Sequence, residues 1–241
     1  MLDRYILSND KHKINLVWSP KAACCTAVRT FFDYIGFEYN QEGWVHLERP
    51  KFHESEFCND YNENYTTIQF VRNPYYRALS SYLHCLTHNY CNVKSERKTF
   101  YDFLLLLSSQ DVDQIDSHVT KQYKIDVDYI LKIENIENDL TRLRNETDID
   151  LTLNNYENHS FRKIFNKKNN VLNFVGKTFN DDLNDLLTRF KIFDETLYKS
   201  RSQFDESIEL SYNDFYDSDI VKLILTIYQK DFFYFEYNPY E

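Results

Sequence analysis

The run Ile14-Asn15-Leu16-Val17-Trp18-Ser19-Pro20-Lys21-Ala22-Ala23-Cys24-Cys25-Thr26 holds a strand, a turn and a helix start. Ile14 to Trp18 reads as a short buried strand. Ser19 and Pro20 break it, since proline brings no N–H to a ladder. From Cys24 to Ile35 the apolar residues recur at helical spacing, and Gly36 suits the residue just past the helix end. A strand, a tight turn holding a lysine and a helix with a hydroxyl in its first turn together suit an anion. The unpaired N–H groups of the helix start point at such a ligand, and the macrodipole favours negative charge there. Lys21 adds a mobile full charge and Thr26 one more donor. By itself a Pro-Lys turn before a helix more often marks a solvated lysine. The glycine-rich loop G-x-x-x-x-G-K-[ST] is absent, so hydrolysis of ATP or GTP is not the natural reading.

Outward from this run, strands and helices alternate. Thr66 to Val71 reads as a second strand; Asn73 then offers an N-cap and Pro74 the first position of a helix running through Tyr82. Thr99 caps a helix over Phe100 to Leu107, and Tyr129 to Ile133 is a third strand leading into a helix capped by Asn135. Ser218 to Phe235 reads as one closing amphipathic helix. The stretch from Phe37 to Asn64 is polar and irregular, the signature of a binding loop. With no repeat and no linker-like segment, residues 1–241 read as a single α/β domain, a sandwich around a central mostly parallel sheet flanked by helices. In such sheets ligands bind at the carboxyl ends of the strands. Lys21 follows one strand there, and Arg72 ends the next.

At 241 residues the chain can bury a sizeable core and carry a cleft. Three Gly stand against 20 Tyr and 19 Phe, so any phosphate loop must form with almost no glycine. A net charge of -10 argues against a nucleic-acid partner and against a highly anionic polymer as substrate. Five cysteines, odd in number and without framework spacing, fit reduced thiols. His84, Cys85, His88 and Cys91 invite a zinc reading, but His84 and His88 lie four apart in an apolar run and no second ligand pair follows. A helix face is the simpler reading, and no metal is expected. Met1 to Lys13 is polar, and the apolar runs Phe103 to Leu107 and Ile220 to Ile227 are too short to span a bilayer. The expectation is a soluble, cytoplasmic protein.

The second chemical motif is Arg72-Asn73-Pro74-Tyr75-Tyr76-Arg77-Ala78-Leu79-Ser80-Ser81-Tyr82. An arginine fork plus a serine hydroxyl two turns into the following helix can clamp a phosphate monoester, with a geometry lysine lacks. The plainer alternative is a helix-start arginine paired with a carboxylate.

Both motifs together resemble the sulfotransferases that use 3'-phosphoadenosine 5'-phosphosulfate (PAPS), particularly the glycan sulfotransferases related to the chondroitin and dermatan 4-O-sulfotransferases. Pro20 to Thr26 is similar to their 5'-phosphosulfate loop, Pro-Lys-Ala-Gly-Cys-Thr-Ser, with Ala23 in place of Gly and Cys25 in place of Thr. Arg72 to Tyr82 resembles their 3'-phosphate element, Arg-[Asp/Asn]-Pro-x-x-Arg-x-x-Ser-x-Tyr. Asp116-Ser117-His118 with Gln122 resembles Asp-x-His-x-x-Pro-Gln, although Lys121 stands where Pro is usual. Tyr228 to Tyr237 resembles a C-terminal Tyr-x-x-Asp-Phe-x-x-Phe-Gly-Tyr, with Glu236 for Gly; both later stretches are expected to be packing elements.

The resemblance implies a P-loop-like three-layer sandwich and a PAPS donor released as adenosine 3',5'-bisphosphate (PAP). It implies a hydroxyl acceptor, expected to be a carbohydrate, and, because such relatives are often Golgi proteins, the Golgi lumen as an alternative compartment if the chain is a trimmed catalytic domain. It assigns the phosphosulfate to Lys21, Ala22, Ala23, Cys24, Cys25 and Thr26, and the 3'-phosphate to Arg72 and Ser80, while Arg77 is structural. Lys177, in Gly176-Lys177-Thr178, falls where relatives carry a loop near the 3'-phosphate. Relatives take their base from between the two motifs, where His46, His53 and Glu54 lie; His46 is the first candidate, then His53, then His118. Two alternatives stay open: a nucleotide kinase on a similar sheet, and a sulfotransferase-like module that binds nucleotide or glycan without turnover.

Overall fold

The computed structural model of the protein describes residues 5–41, 45–88, 90–93, 96, 98–153, 216 and 218–239. Ile6–Asn9 (β1) and Ile14–Val17 (β2) form an antiparallel pair, and Thr66–Val71 (β3) and Tyr129–Lys132 (β4) extend it in parallel, in the order β1-β2-β3-β4. The described residues are thus mixed α/β, with a four-strand, mostly parallel sheet. Strand β1 was not anticipated, because Ile6 and Leu7 give too short an apolar signal. It forms because its polar residues find partners inside. Ser8, Asn15 and Thr67 stand side by side on β1, β2 and β3. Ser8 Oγ donates to Asn15 Oδ1 at 2.6 Å, and Asn15 Nδ2 donates to Thr67 Oγ1 at 3.0 Å. Burying these groups unpaired would oppose folding; paired, they fix the strand register.

The described residues divide into two compact units. The first, Met1–Asn73, Lys121–Glu157 and Lys230–Asn238, contains the sheet. Its helix Cys24–Ile35 (α1) buries Ala27, Val28, Phe31, Phe32 and Ile35, the face expected from the spacing. Gly36 caps it with φ 75°, and Phe37 N–H returns to the Phe32 carbonyl at 2.9 Å, which consumes a carbonyl the helix end leaves open. The stretch expected to be irregular contains a 3-10 turn, Val45–Leu47, and a short helix, Arg49–His53 (α2). Phe52 of α2 is fully buried among Phe31, Phe32 and Phe37, at centroid distances of 5.2 to 6.0 Å. An aromatic anchor of this kind contributes about 2–3 kcal/mol through burial. It ties the excursion to α1.

The second unit comprises Pro74–Thr120, Asn158–Gln229 and Pro239–Glu241. It carries Pro74–His88 (α3), Phe100–Ser108 (α4) and Val112–Ile115 (α5). Thr99 caps α4 as expected, in a full capping box with Asp102. Tyr82 packs its ring on Phe100 and Phe103 and donates its hydroxyl to the Lys98 carbonyl at 2.9 Å.

After β4 the first unit continues with Ile136–Glu146 (α6). Asn135 precedes α6, but its side chain makes no cap; its Nδ2 donates to Asp139 Oδ1 at 3.2 Å instead. The C-terminal segment is two helices, Ser218–Ile227 (α7) and Gln229–Tyr234 (α8), not the single helix the apolar period suggests. Among the described residues no helix is long and apolar enough to cross a membrane.

Candidate active site

Strand β2 delivers Ser19 into the loop, where it is fully buried and accepts the Ala22 N–H at 3.2 Å. The loop then turns through two left-handed residues, Lys21 (φ 66°) and Ala23 (φ 52°). Such a conformation costs a non-glycine residue about 1–2 kcal/mol. Ala23 is the N-cap of α1 and has no side chain to offer the first turn. It occupies the position where the resembled loop has glycine, and it adopts the backbone shape that glycine would take without strain. The Ala22 methyl is fully buried and pins the loop to the core, while Lys21, Ala23, Cys24, Cys25 and Thr26 are partly accessible. The result is a helix start without a side-chain cap, with a lysine and Thr26 at its rim. That is an electrostatic setting for a phosphate or sulfate group.

Because β2 and β3 are parallel neighbours, Arg72 emerges beside this loop. Its Nη1 donates to the Lys21 carbonyl at 3.4 Å. Lys21 and Arg72, 51 residues apart, therefore meet within the first unit.

The backbone of Arg72 is held from below. Gln122 Oε1 accepts the Arg72 N–H at 2.9 Å, and Gln122 Nε2 donates to the Arg72 carbonyl at 2.7 Å. The carbonyl of Gln122 accepts Gln69 Nε2 at 2.8 Å. Its N–H, with that of Tyr123, runs into the Asp231 carboxylate at 2.9 and 3.0 Å. Gln69, Gln122 and Asp231 are all fully buried. Packing was the expected role of the segments around Gln122 and Asp231; the structure makes them a polar brace beneath Arg72 as well. The sequence signal was present in the resembled Pro-Gln and Asp-Phe elements, but partners 109 residues apart are invisible to spacing.

Of the histidines, the structure brings His46 to the loop. His46 stacks on Trp18 with centroids 4.9 Å apart, and its Nε2 lies 3.3 Å from Cys24 Sγ. Arg49 covers the same indole at 4.7 Å. The Cys24 thiol is held well below its ordinary pKa, first by the hydrogen bond from Cys25. Burial opposes this, while the His46 hydrogen bond and the charges of His46 and Lys21 add to it. His53 pairs elsewhere, its Nδ1 3.3 Å from Cys58 Sγ.

In the second unit Ser80 is partly accessible on α3. Arg77 is buried with its guanidinium 5.8 Å above the Tyr228 ring, which fits a structural role. His118 Nδ1 bonds Asp116 Oδ1 at 2.7 Å, and its ring lies 4.0 Å from that of His84. Lys177 lies outside the described residues. A shallow cleft of about 550 Å³ lined by Thr66, Tyr129, Arg142 and Glu146 opens at the amino end of β3, the opposite sheet edge from the lysine loop. Polar and open, it holds none of the groups named above.

No curated protein and no solved structure matches the chain significantly. The profile of the sulfotransferase family matches it over residues 4–238, nearly its whole length. That span covers the lysine loop, Arg72, the Gln122 brace and the C-terminal aspartate, and on this ground the chain belongs to the sulfotransferase family.

Proposed function

We propose that the protein transfers a sulfuryl group from PAPS to a carbohydrate hydroxyl, working as a single domain of the three-layer, P-loop-like kind. Family membership supports sulfuryl transfer in general. The observation that carries the finer reading is the contact of Arg72 Nη1 with the Lys21 carbonyl. It brings the arginine guanidinium against the backbone of the lysine turn, beside a helix start, and a donor carrying two phosphates needs cations. The carbohydrate acceptor, and a kinship with chondroitin and dermatan 4-O-sulfotransferases, rest on the motif resemblance. So do the assignments of Ser80 and Lys177 to the 3'-phosphate.

In this mechanism the acceptor oxygen attacks sulfur in line with the bond to the 5'-phosphate. The new O–S bond forms as the old one breaks, PAP leaves, and the acceptor proton passes to the His46 imidazole. Lys21 and the first turn of α1 stabilise the charge growing on the departing phosphate. Trp18 stacking and the contact with Cys24 fix the His46 ring, which a base needs in order to act at a defined position. The cations in this scheme are Lys21 and Arg72.

Calorimetric titration with PAP tests the reading, run beside ATP and beside Arg72→Ala. Micromolar binding of PAP, absent for ATP and lost in the variant, is the expected result. No binding to the wild-type protein would overturn the donor assignment. Binding of PAP without transfer to any offered hydroxyl would favour a non-catalytic module, for which Cys25 in place of the loop hydroxyl is the relevant departure.

A further inference from the structure

The first two residues of α1 and the 3-10 turn at Val45–Leu47 bring two sulfurs and one imidazole together. The donor atoms of Cys24, Cys25 and His46 all lie within 4.8 Å of one another, the only such group among the described residues. Within it, Cys24 Sγ and His46 Nε2 are 3.3 Å apart. We propose that Cys24, Cys25 and His46 form a binding site for one thiophilic metal ion of the zinc class, with a fourth position left to solvent or ligand. This metal site stands on its ligand set alone; only its effect on turnover rests on the donor reading above.

The geometry is close to what zinc requires. Tetrahedral bonds of about 2.3 Å to sulfur and 2.0–2.1 Å to nitrogen put ligand atoms about 3.5–3.8 Å apart. The Cys24–His46 pair is already near that separation. No pair lies beyond 4.8 Å, so closing to that separation takes at most about 1 Å, within reach of a cysteine side-chain rotation. Two cysteines and one histidine with an open fourth position are also an established zinc donor set.

The charges are compatible. A bare cation at a helix start would oppose the macrodipole, but two thiolates cancel the charge of a divalent ion. The N–H groups of the first turn, which no side chain caps, face the negative charge that two metal-bound thiolates carry. The second sulfur comes from Cys25, the residue by which this chain departs from the hydroxyl of the resembled loop. An ion here engages His46 and the start of α1 together, so metal and phosphosulfate would exclude one another.

The test uses the full chain, stripped with a chelator and then titrated with Zn2+ against a chromophoric competitor, and with Co2+ by absorption. The expected result is one equivalent of zinc and a cobalt spectrum with thiolate charge-transfer bands. Cys25→Thr and, separately, His46→Asn each weaken zinc by more than about a hundredfold, beyond what loss of an outer supporting partner costs. Cys58→Ser, which alters the other Cys–His pair, leaves it unchanged. The two disabling variants lie on different elements, so misfolding of one leaves the test intact. Absence of stoichiometric binding, or affinity retained in both variants, overturns the site. PAP titration of the metal-free protein separates the two readings: PAP without zinc removes only the metal site, and zinc without PAP removes only the donor site.

Discussion

The side-chain amide of Gln122 closes on the backbone of Arg72 from both sides, accepting its N–H at 2.9 Å and donating to its carbonyl at 2.7 Å. An amide is the one common side chain that can do both at once, since it carries an acceptor and a donor in one plane. Arg72 leaves the end of β3, where the ladder no longer holds it, and the clamp replaces the missing strand bonds. The guanidinium is thereby aimed from a fixed backbone.

Gln122→Met is expected to destabilise the fold by about 2–4 kcal/mol, because two backbone groups lose their partner in a buried setting. Gln122→Glu buries a carboxylate with an oxygen facing the Arg72 carbonyl, so at neutral pH it should cost at least as much as Met. Urea denaturation checks the order. A Met variant as stable as wild type would mean that the clamp is incidental.

Ala23→Gly should stabilise the protein. The left-handed conformation at φ 52° costs alanine about 1–2 kcal/mol, and the added chain entropy of glycine takes back about 0.5–1. A net gain of about 0.5–1 kcal/mol is expected from the denaturation midpoint. A loss of stability would argue against the left-handed turn at the start of α1.

Lys21→Ala should leave the fold intact and reduce sulfuryl transfer to less than about a tenth of wild type, since the leaving phosphate loses its point charge. His46→Asn should reduce turnover by roughly 10²–10⁴ while keeping PAP affinity, as removal of a general base does. His53→Asn, whose ring faces Cys58, should reduce neither. Steady-state kinetics on metal-free protein, with PAP titrations alongside, distinguish these outcomes. Full activity in His46→Asn would remove it from the chemistry.

Burial, with the hydrogen bond to Asp33 at 3.0 Å, pushes the Tyr39 phenol up to about 12. The folded state therefore favours the protonated phenol. Its contribution to stability is complete below the ordinary value near 10 and is lost as the pH climbs from there towards about 12. Tyr39→Phe should flatten the alkaline fall in stability, measured as urea midpoints from about pH 9 to about pH 11. Equal slopes in both proteins would show that the phenol is not held neutral.

How much of this was legible beforehand depended on the range of the interaction. Strand β2, helix α1 with its Gly36 end, strand β3, the Pro74 start of α3 and the Thr99 cap all came from neighbours within a few residues. Local periodicity and capping chemistry decide such elements. Strand β1 escaped, because what makes Ser8 and Asn9 acceptable inside a sheet is Asn15 and the Phe57 carbonyl, contacts the local pattern does not announce. The break between α7 and α8 escaped for a related reason. Asp231 reads as the polar face of a helix until its carboxylate is seen holding Gln122 and Tyr123.

The site divides in the same way. The sequence by itself determined that a lysine turn precedes a helix, that Arg72 ends a strand, and that the chain resembles the sulfotransferases. These follow from residue type and short spacing. Only the tertiary structure decided that Arg72 reaches the Lys21 carbonyl, that His46 and not His53 lies against Cys24, and that Gln122 holds Arg72 in place. Each is a contact between elements 22 to 51 residues apart in the chain. Strand pairing and core packing set such distances, and neither is written in any local stretch.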